Sequence, residues 1–103
     1  MSLEFNESNF EAEVLNYEGT VLVDMFAEWC EPCQVMSPII DEIAEENLEN
    51  VKVGKINVDE NMELAEKYGV VSIPTILIIK NGEVVKTFLG IADKEEIEAS
   101  LRG

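Results

Sequence analysis

The run Val21-Leu22-Val23-Asp24-Met25-Phe26-Ala27 is apolar at every position except Asp24. Apolar residues on both faces predict a central strand covered on both sides. Beyond residue 33 the period changes. Val35, Met36, Ile39, Ile40, Ile43 and Ala44 recur at helical spacing, and Glu42, Glu45, Glu46 and Glu49 fall mostly on the opposite, solvated side. Pro38 inside this helix removes one backbone hydrogen bond and predicts a kink, and Asn47 to Asn50 closes it.

The flanking segments follow the same logic. Leu3-Glu4-Phe5 reads as a short first strand, and Ser8-Asn9-Phe10-Glu11 has the capping-box pattern ahead of a short helix with Phe10, Val14 and Leu15 on one face. Glu18-Gly19 marks a turn. Val51 to Val58 reads as a strand, after which Asp59 is expected to cap a short helix with Leu64, Ala65 and Tyr68 inward and Gly69 as its stop. Ile73-Pro74 opens a strand over 75–79, and Lys80-Asn81-Gly82-Glu83 predicts a two-residue hairpin into a strand over 84–89, ended by Gly90. Asp93 and Glu96 start a last helix with Ile97 and Leu101 inward. The order β-α-β-α-β-α-β-β-α predicts an α/β fold, a central mixed β-sheet flanked by helices on both faces and closed by an antiparallel hairpin. Met25, Met36 and Met62 are expected as core filler.

Composition narrows the function classes. A chain of 103 residues, 47% hydrophobic, fits one domain (1–103) with one core. The start Met1-Ser2-Leu3-Glu4-Phe5 has no basic or apolar leader pattern, and Ile76-Leu77-Ile78-Ile79 is far too short to span a membrane. Twenty-two acidic against 7 basic residues give a net charge of −15 without a polybasic cluster, which argues against nucleic acid and anionic membranes as partners. Such acidity keeps a surface solvated; it also repels acidic partner faces and tolerates neutral or basic ones. A cytoplasmic location is expected, since both cysteines lie in one motif rather than a scaffold of bridges.

That motif is Trp29-Cys30-Glu31-Pro32-Cys33, at the junction of the central strand and the long helix. A helix N-terminus offers unpaired N–H groups and a positive dipole end, both of which stabilise a thiolate. Pro32 suits a first helical turn. A cysteine one turn further on can reach the first, so a disulfide there opens and closes with little other movement. As a staple, a bridge closing so short a loop would be weak. As a metal site, two cysteines with no histidine would need oxygens such as those of Asp24 and Glu28. Redox chemistry is the reading this spacing favours, with no metal and no cofactor beyond the cysteines themselves. Asp24 adds a second group: a carboxylate in a strand buried on both faces pays a large desolvation cost, so its pKa should rise and it can exchange protons near neutrality.

The chain resembles the thioredoxin family from end to end. The resemblance is carried by Val23 to Cys33, Pro38 with Ile39 to Ala44, Lys55-Ile56-Asn57-Val58-Asp59, Tyr68-Gly69-Val70, Ile73-Pro74-Thr75, Lys80-Asn81-Gly82 and Gly90. Three positions depart from it: Glu31 stands where the family usually has glycine, Gln34 where a basic residue is frequent, and Phe26 where many members have a second tryptophan. The resemblance implies a protein-disulfide reductase of thioredoxin-like fold, with Cys30 the nucleophile and Cys33 the resolving thiol of a redox-active disulfide. It places Lys55 beside Asp24, and it makes Pro74 a cis-proline that leaves the Ile73 backbone free for an extended client. Trp29, Ile73, Pro74, Gly90 and Ile91, with Glu31 and Pro32 between the cysteines, would form the client-binding face. The implied partners are a thioredoxin reductase and disulfide-containing client proteins, met by a monomer. The alternative is a redox-gated binding module of the same fold that grips clients without turnover.

Overall fold

The computed structural model describes residues 2–102. Its elements are β1 (Leu3–Glu4), one turn of π-helix (Glu11–Leu15), β2 (Thr20–Phe26), α1 (Glu31–Glu45), β3 (Val51–Asn57), α2 (Met62–Lys67), β4 (Thr75–Lys80), β5 (Glu83–Leu89) and α3 (Lys94–Arg102). The five strands form one sheet in the order β1-β3-β2-β4-β5. β2 lies at its centre, parallel to β3 and antiparallel to β4.

Strand alternation splits the core in two. Val21, Val23 and Met25 join Phe5, Phe10, Val14 and Leu64 on one face. Leu22 of β2 points the other way and joins Met36, Ile40 and Ile43 of α1 and Ile97 and Leu101 of α3. Asp24 shares the parity of Leu22 and therefore lies under α1. The hairpin has Asn81 and Gly82 at φ 53° and 81°, as a two-residue primed turn demands.

Several local expectations need correction. Ser8 does not cap the first helical turn. Asn6 and Asn9 exchange side-chain-to-backbone bonds instead, with the Asn9 N–H donating to Asn6 Oδ1 at 2.9 Å and the Asn6 N–H to Asn9 Oδ1 at 2.8 Å. Asp59 does not cap α2. Asn61 occupies that position, and it spends its side chain on the Glu7 N–H and the Asn57 carbonyl. Val35 is 51% exposed rather than inward, because it stands on the side of α1 facing away from the sheet. Met62 is 72% exposed and fills no core, while Met25 and Met36 are fully buried.

Candidate active site

The end of β2 delivers the chain through Ala27, Glu28 and Trp29 to the first turn of α1. Cys30 is the N-cap of that helix, with extended backbone, and its Sγ accepts the Cys33 N–H at 3.2 Å. Pro32 lies in the first turn, where its missing N–H costs nothing. One helical turn brings Cys33 back to Cys30, and the two form a disulfide. Ala27 and the two cysteines make a small buried cluster, flanked by Phe26, Val58 and Ile73.

The two sulfurs look onto different surroundings. Cys30 Sγ lies 3.7 Å from the Ile73 carbonyl, and the Ile73–Pro74 peptide is cis. The Gly90 N–H donates to the Pro74 carbonyl at 2.8 Å, which sets the loop with exposed Ile91 beside the proline. Trp29 is 71% exposed, and its indole N–H donates to Asp59 Oδ2 at 2.8 Å. A shallow, mainly apolar groove of about 460 Å³ runs from Trp29 past Val58, Met62, Val70, Val71 and Ile73.

Cys33 instead lines a separate cavity of about 330 Å³ with Asp24, Phe26, Ser37 and Lys55, the mouth bounded by Glu28 and Gln34. Asp24 is 1% exposed and its Oδ1 has no hydrogen-bond partner. Burial therefore lifts its pKa to about 7; the Lys55 ammonium pulls it down and the Asp41 carboxylate pushes it up. Asp24 and Lys55 are register partners on β2 and β3. The ammonium nevertheless ends on α1, 3.1 Å from Asp41 Oδ1 and donating to Ser37 Oγ. Among the described residues no group of three or more His, Cys, Asp or Glu is placed to hold a metal ion.

A fold with an N-capping cysteine bonded to its helical neighbour, set against a cis-proline, can be compared with known proteins. Residues 1–103 match the family model described as Thioredoxin. The chain belongs to the thioredoxin family. It is 47% identical over 92 residues to the thioredoxin of Bacillus subtilis (strain 168), covering 89% of this chain and 86% of the relative. It is 46% identical over 95 residues to the thioredoxin of Porphyra purpurea, covering 92% and 89%. The thioredoxin of Rickettsia bellii (strain RML369-C) is 45% identical over 97 residues, covering 94% and 92%. Family membership and the Cys30–Cys33 disulfide make this thioredoxin-family chain a thiol-disulfide oxidoreductase, a protein-disulfide reductase. No helix among the described residues is long and apolar enough to cross a membrane.

The structure gathers Trp29, Cys30, Ile73, Pro74, Gly90 and Ile91 at one end of the sheet, with exposed Glu31 and Pro32 on the first turn of α1. Asp24 and Lys55 lie behind, in the cavity that Cys33 also lines. Three residues of this neighbourhood escaped the reading of the sequence. Asp59 orients Trp29 instead of capping a helix, and Ser37 and Asp41 hold Lys55. The signal for the last two was present: Cys33, Ser37 and Asp41 are spaced i, i+4, i+8, which puts them on one face of a helix.

Proposed function

We propose that this chain reduces disulfides in client proteins with Cys30 as nucleophile, Cys33 as resolving thiol and Asp24 as the proton acceptor for Cys33. The observation that carries this reading is the separation of the two sulfurs: Cys30 is at the helix N-terminus against the Ile73 carbonyl, and Cys33 is on the Asp24 cavity. In the reduced protein the Cys30 thiolate is favoured by the helix end and the Cys33 N–H. It attacks one sulfur of a client disulfide; that bond breaks, and the other client sulfur leaves as a thiolate and takes a proton from water. Asp24 then accepts the Cys33 proton. The Cys33 thiolate attacks Cys30 Sγ, and the client's second sulfur departs as a thiolate that takes a proton from water, while Asp24 returns the Cys33 proton to solvent. Two electrons pass to the client, which leaves as a dithiol, and the Cys30–Cys33 disulfide remains.

The disulfide is the only redox group this scheme uses, with neither cofactor nor metal. Trp29, Ile73, Pro74, Gly90 and Ile91 form the client face, with Glu31 and Pro32 at its rim. An extended client segment pairs with the Ile73 backbone. A thioredoxin reductase restores the dithiol, and the chain works as a single-domain monomer in the cytoplasm. Insulin reduction tests the proposal: the wild-type chain turns over repeatedly, and Cys30→Ser, though folded, does not. Binding that depends on disulfide state without turnover would make the chain a redox-gated binding module instead.

A further inference from the structure

The face of α1 that covers β2 and β3 carries Cys33, Ser37 and Asp41 one turn apart, above the register pair Asp24 and Lys55. Parallel pairing sends the Asp24 and Lys55 side chains off the same side of the sheet. The nearest arrangement for such a pair would be an ion pair with each other. The structure has another. The Lys55 ammonium is held by Ser37 Oγ and by Asp41 Oδ1, and Asp41 Oδ1 also accepts the Ser2 hydroxyl at 3.0 Å. Asp24 Oδ1 is left buried without a partner. The cavity bounded by Asp24, Cys33, Ser37 and Lys55 gives a detached ammonium room to turn toward Asp24.

We propose that Ser37 and Asp41 are positioning residues that hold the Lys55 ammonium off the Asp24 carboxyl, leaving that carboxyl as the proton acceptor for Cys33. The proposal rests on the reading of Asp24 as that acceptor. The charged and titratable groups facing Asp24 are Lys55 from β3, Cys33 and Asp41 from α1, and Glu28 at the cavity mouth. β4 offers only Ile76 opposite it. Asp41 acts in two ways with one sign. Its own charge disfavours a second carboxylate nearby, and its grip on Lys55 keeps the compensating cation away. Burial pushes the Asp41 carboxyl up, but the bonds from Lys55 and Ser2 outweigh this and hold it below the usual carboxylate range, so it stays charged while Asp24 titrates.

Carboxyl ¹³C NMR titration of Asp24, with the Cys30–Cys33 disulfide intact, tests this in the wild type, Ser37→Ala, Asp41→Asn and Asp41→Glu. Asp41→Asn is expected to lower the Asp24 midpoint by roughly 0.5–1 pH unit. Ser37→Ala should lower it less, and Asp41→Glu should restore most of it. Lys55→Met supplies the decisive comparison through a double-mutant cycle. In that background Asp41→Asn keeps only its direct field, so the shift should fall to half or less. A shift as large in the Lys55→Met background as in the wild type overturns the proposal, as does an unmoved midpoint in Asp41→Asn. The pH profile of mixed-disulfide resolution separates this from the underlying reading. If Asp24 accepts the Cys33 proton, the acidic limb moves with the NMR midpoint. If the midpoint moves as expected and the limb stays, the assignment of Asp24 as acceptor fails, and with it the catalytic half of the proposal.

Discussion

Replacing Asp24 with asparagine removes an ionisable group from the middle of the sheet without changing its shape. The Asp24 carboxyl titrates at about 7 in the folded chain against 3.8 for an unburdened aspartate. A raised folded pKa means that the folded chain keeps its proton where the unfolded chain has lost it. Between about pH 4 and pH 7 the native state therefore binds more protons, and stability falls as pH rises. Three pH units at about 1.4 kcal/mol each make the full cost about 4 kcal/mol, absent below pH 4 and complete above pH 7. Asparagine has a penalty of its own, since its amide meets a site where one oxygen already lacks a partner. That penalty is roughly 1–3 kcal/mol. The variant should thus be more stable by about 1–3 kcal/mol at pH 8 and less stable by the amide penalty alone, about 1–3 kcal/mol, at pH 4. The amide penalty is the same at every pH, so the change in the difference between the two proteins isolates Asp24. Urea unfolding of both disulfide forms from pH 4 to 8.5 measures it. Parallel stability–pH curves would mean that Asp24 titrates alike folded and unfolded, and that its burial does not raise its pKa.

Three further outcomes follow from other parts of the structure. A Cβ at Gly54, in the buried middle of β3, would sit within 3 Å of three Phe5 ring carbons; Gly54→Ala should cost about 1–3 kcal/mol in urea unfolding by overpacking. Glu31→Gln removes an exposed negative charge one residue from Cys30. Alkylation of reduced Cys30 by neutral iodoacetamide at pH 7 should then quicken about two- to fivefold, and less so at 1 M salt. Asp59→Ala takes the acceptor from the Trp29 indole N–H; the surface bond should cost less than about 1 kcal/mol of stability. Insulin reduction should nonetheless lose about two- to fivefold in kcat/KM as the ring loses its orientation.

The sheet was legible because its determinants are local and repeated. Val21 to Ala27 could only be a doubly covered strand, and Asn81-Gly82 could only turn one way. Caps were harder to read, because several polar side chains near a helix start can each serve. Ser8 fitted the motif, but Asn6 and Asn9 satisfy each other; Asp59 fitted as well, but its carboxylate goes to Trp29 and Asn61 takes the position. Val35 followed the apolar period of α1 yet lies outside it, since periodicity does not fix where the buried stripe ends. The pairing of the two cysteines and the burial of Asp24 were legible from chemistry alone. The grip of Ser37 and Asp41 on Lys55 was not, because sequence shows that two residues share a helix face but not which charge a long lysine side chain reaches.

Cys33→Ser reveals which sulfur meets the client. Incubated in reduced form with a disulfide-bonded protein, this variant cannot resolve its adduct. Alkylation followed by peptide mapping then locates the bond. A mixed disulfide should accumulate on Cys30, and no adduct at all should form when Cys30→Ser is treated in the same way. Accumulation of an equally rapid adduct on Cys33 in Cys30→Ser would contradict the assignment of Cys30 as nucleophile.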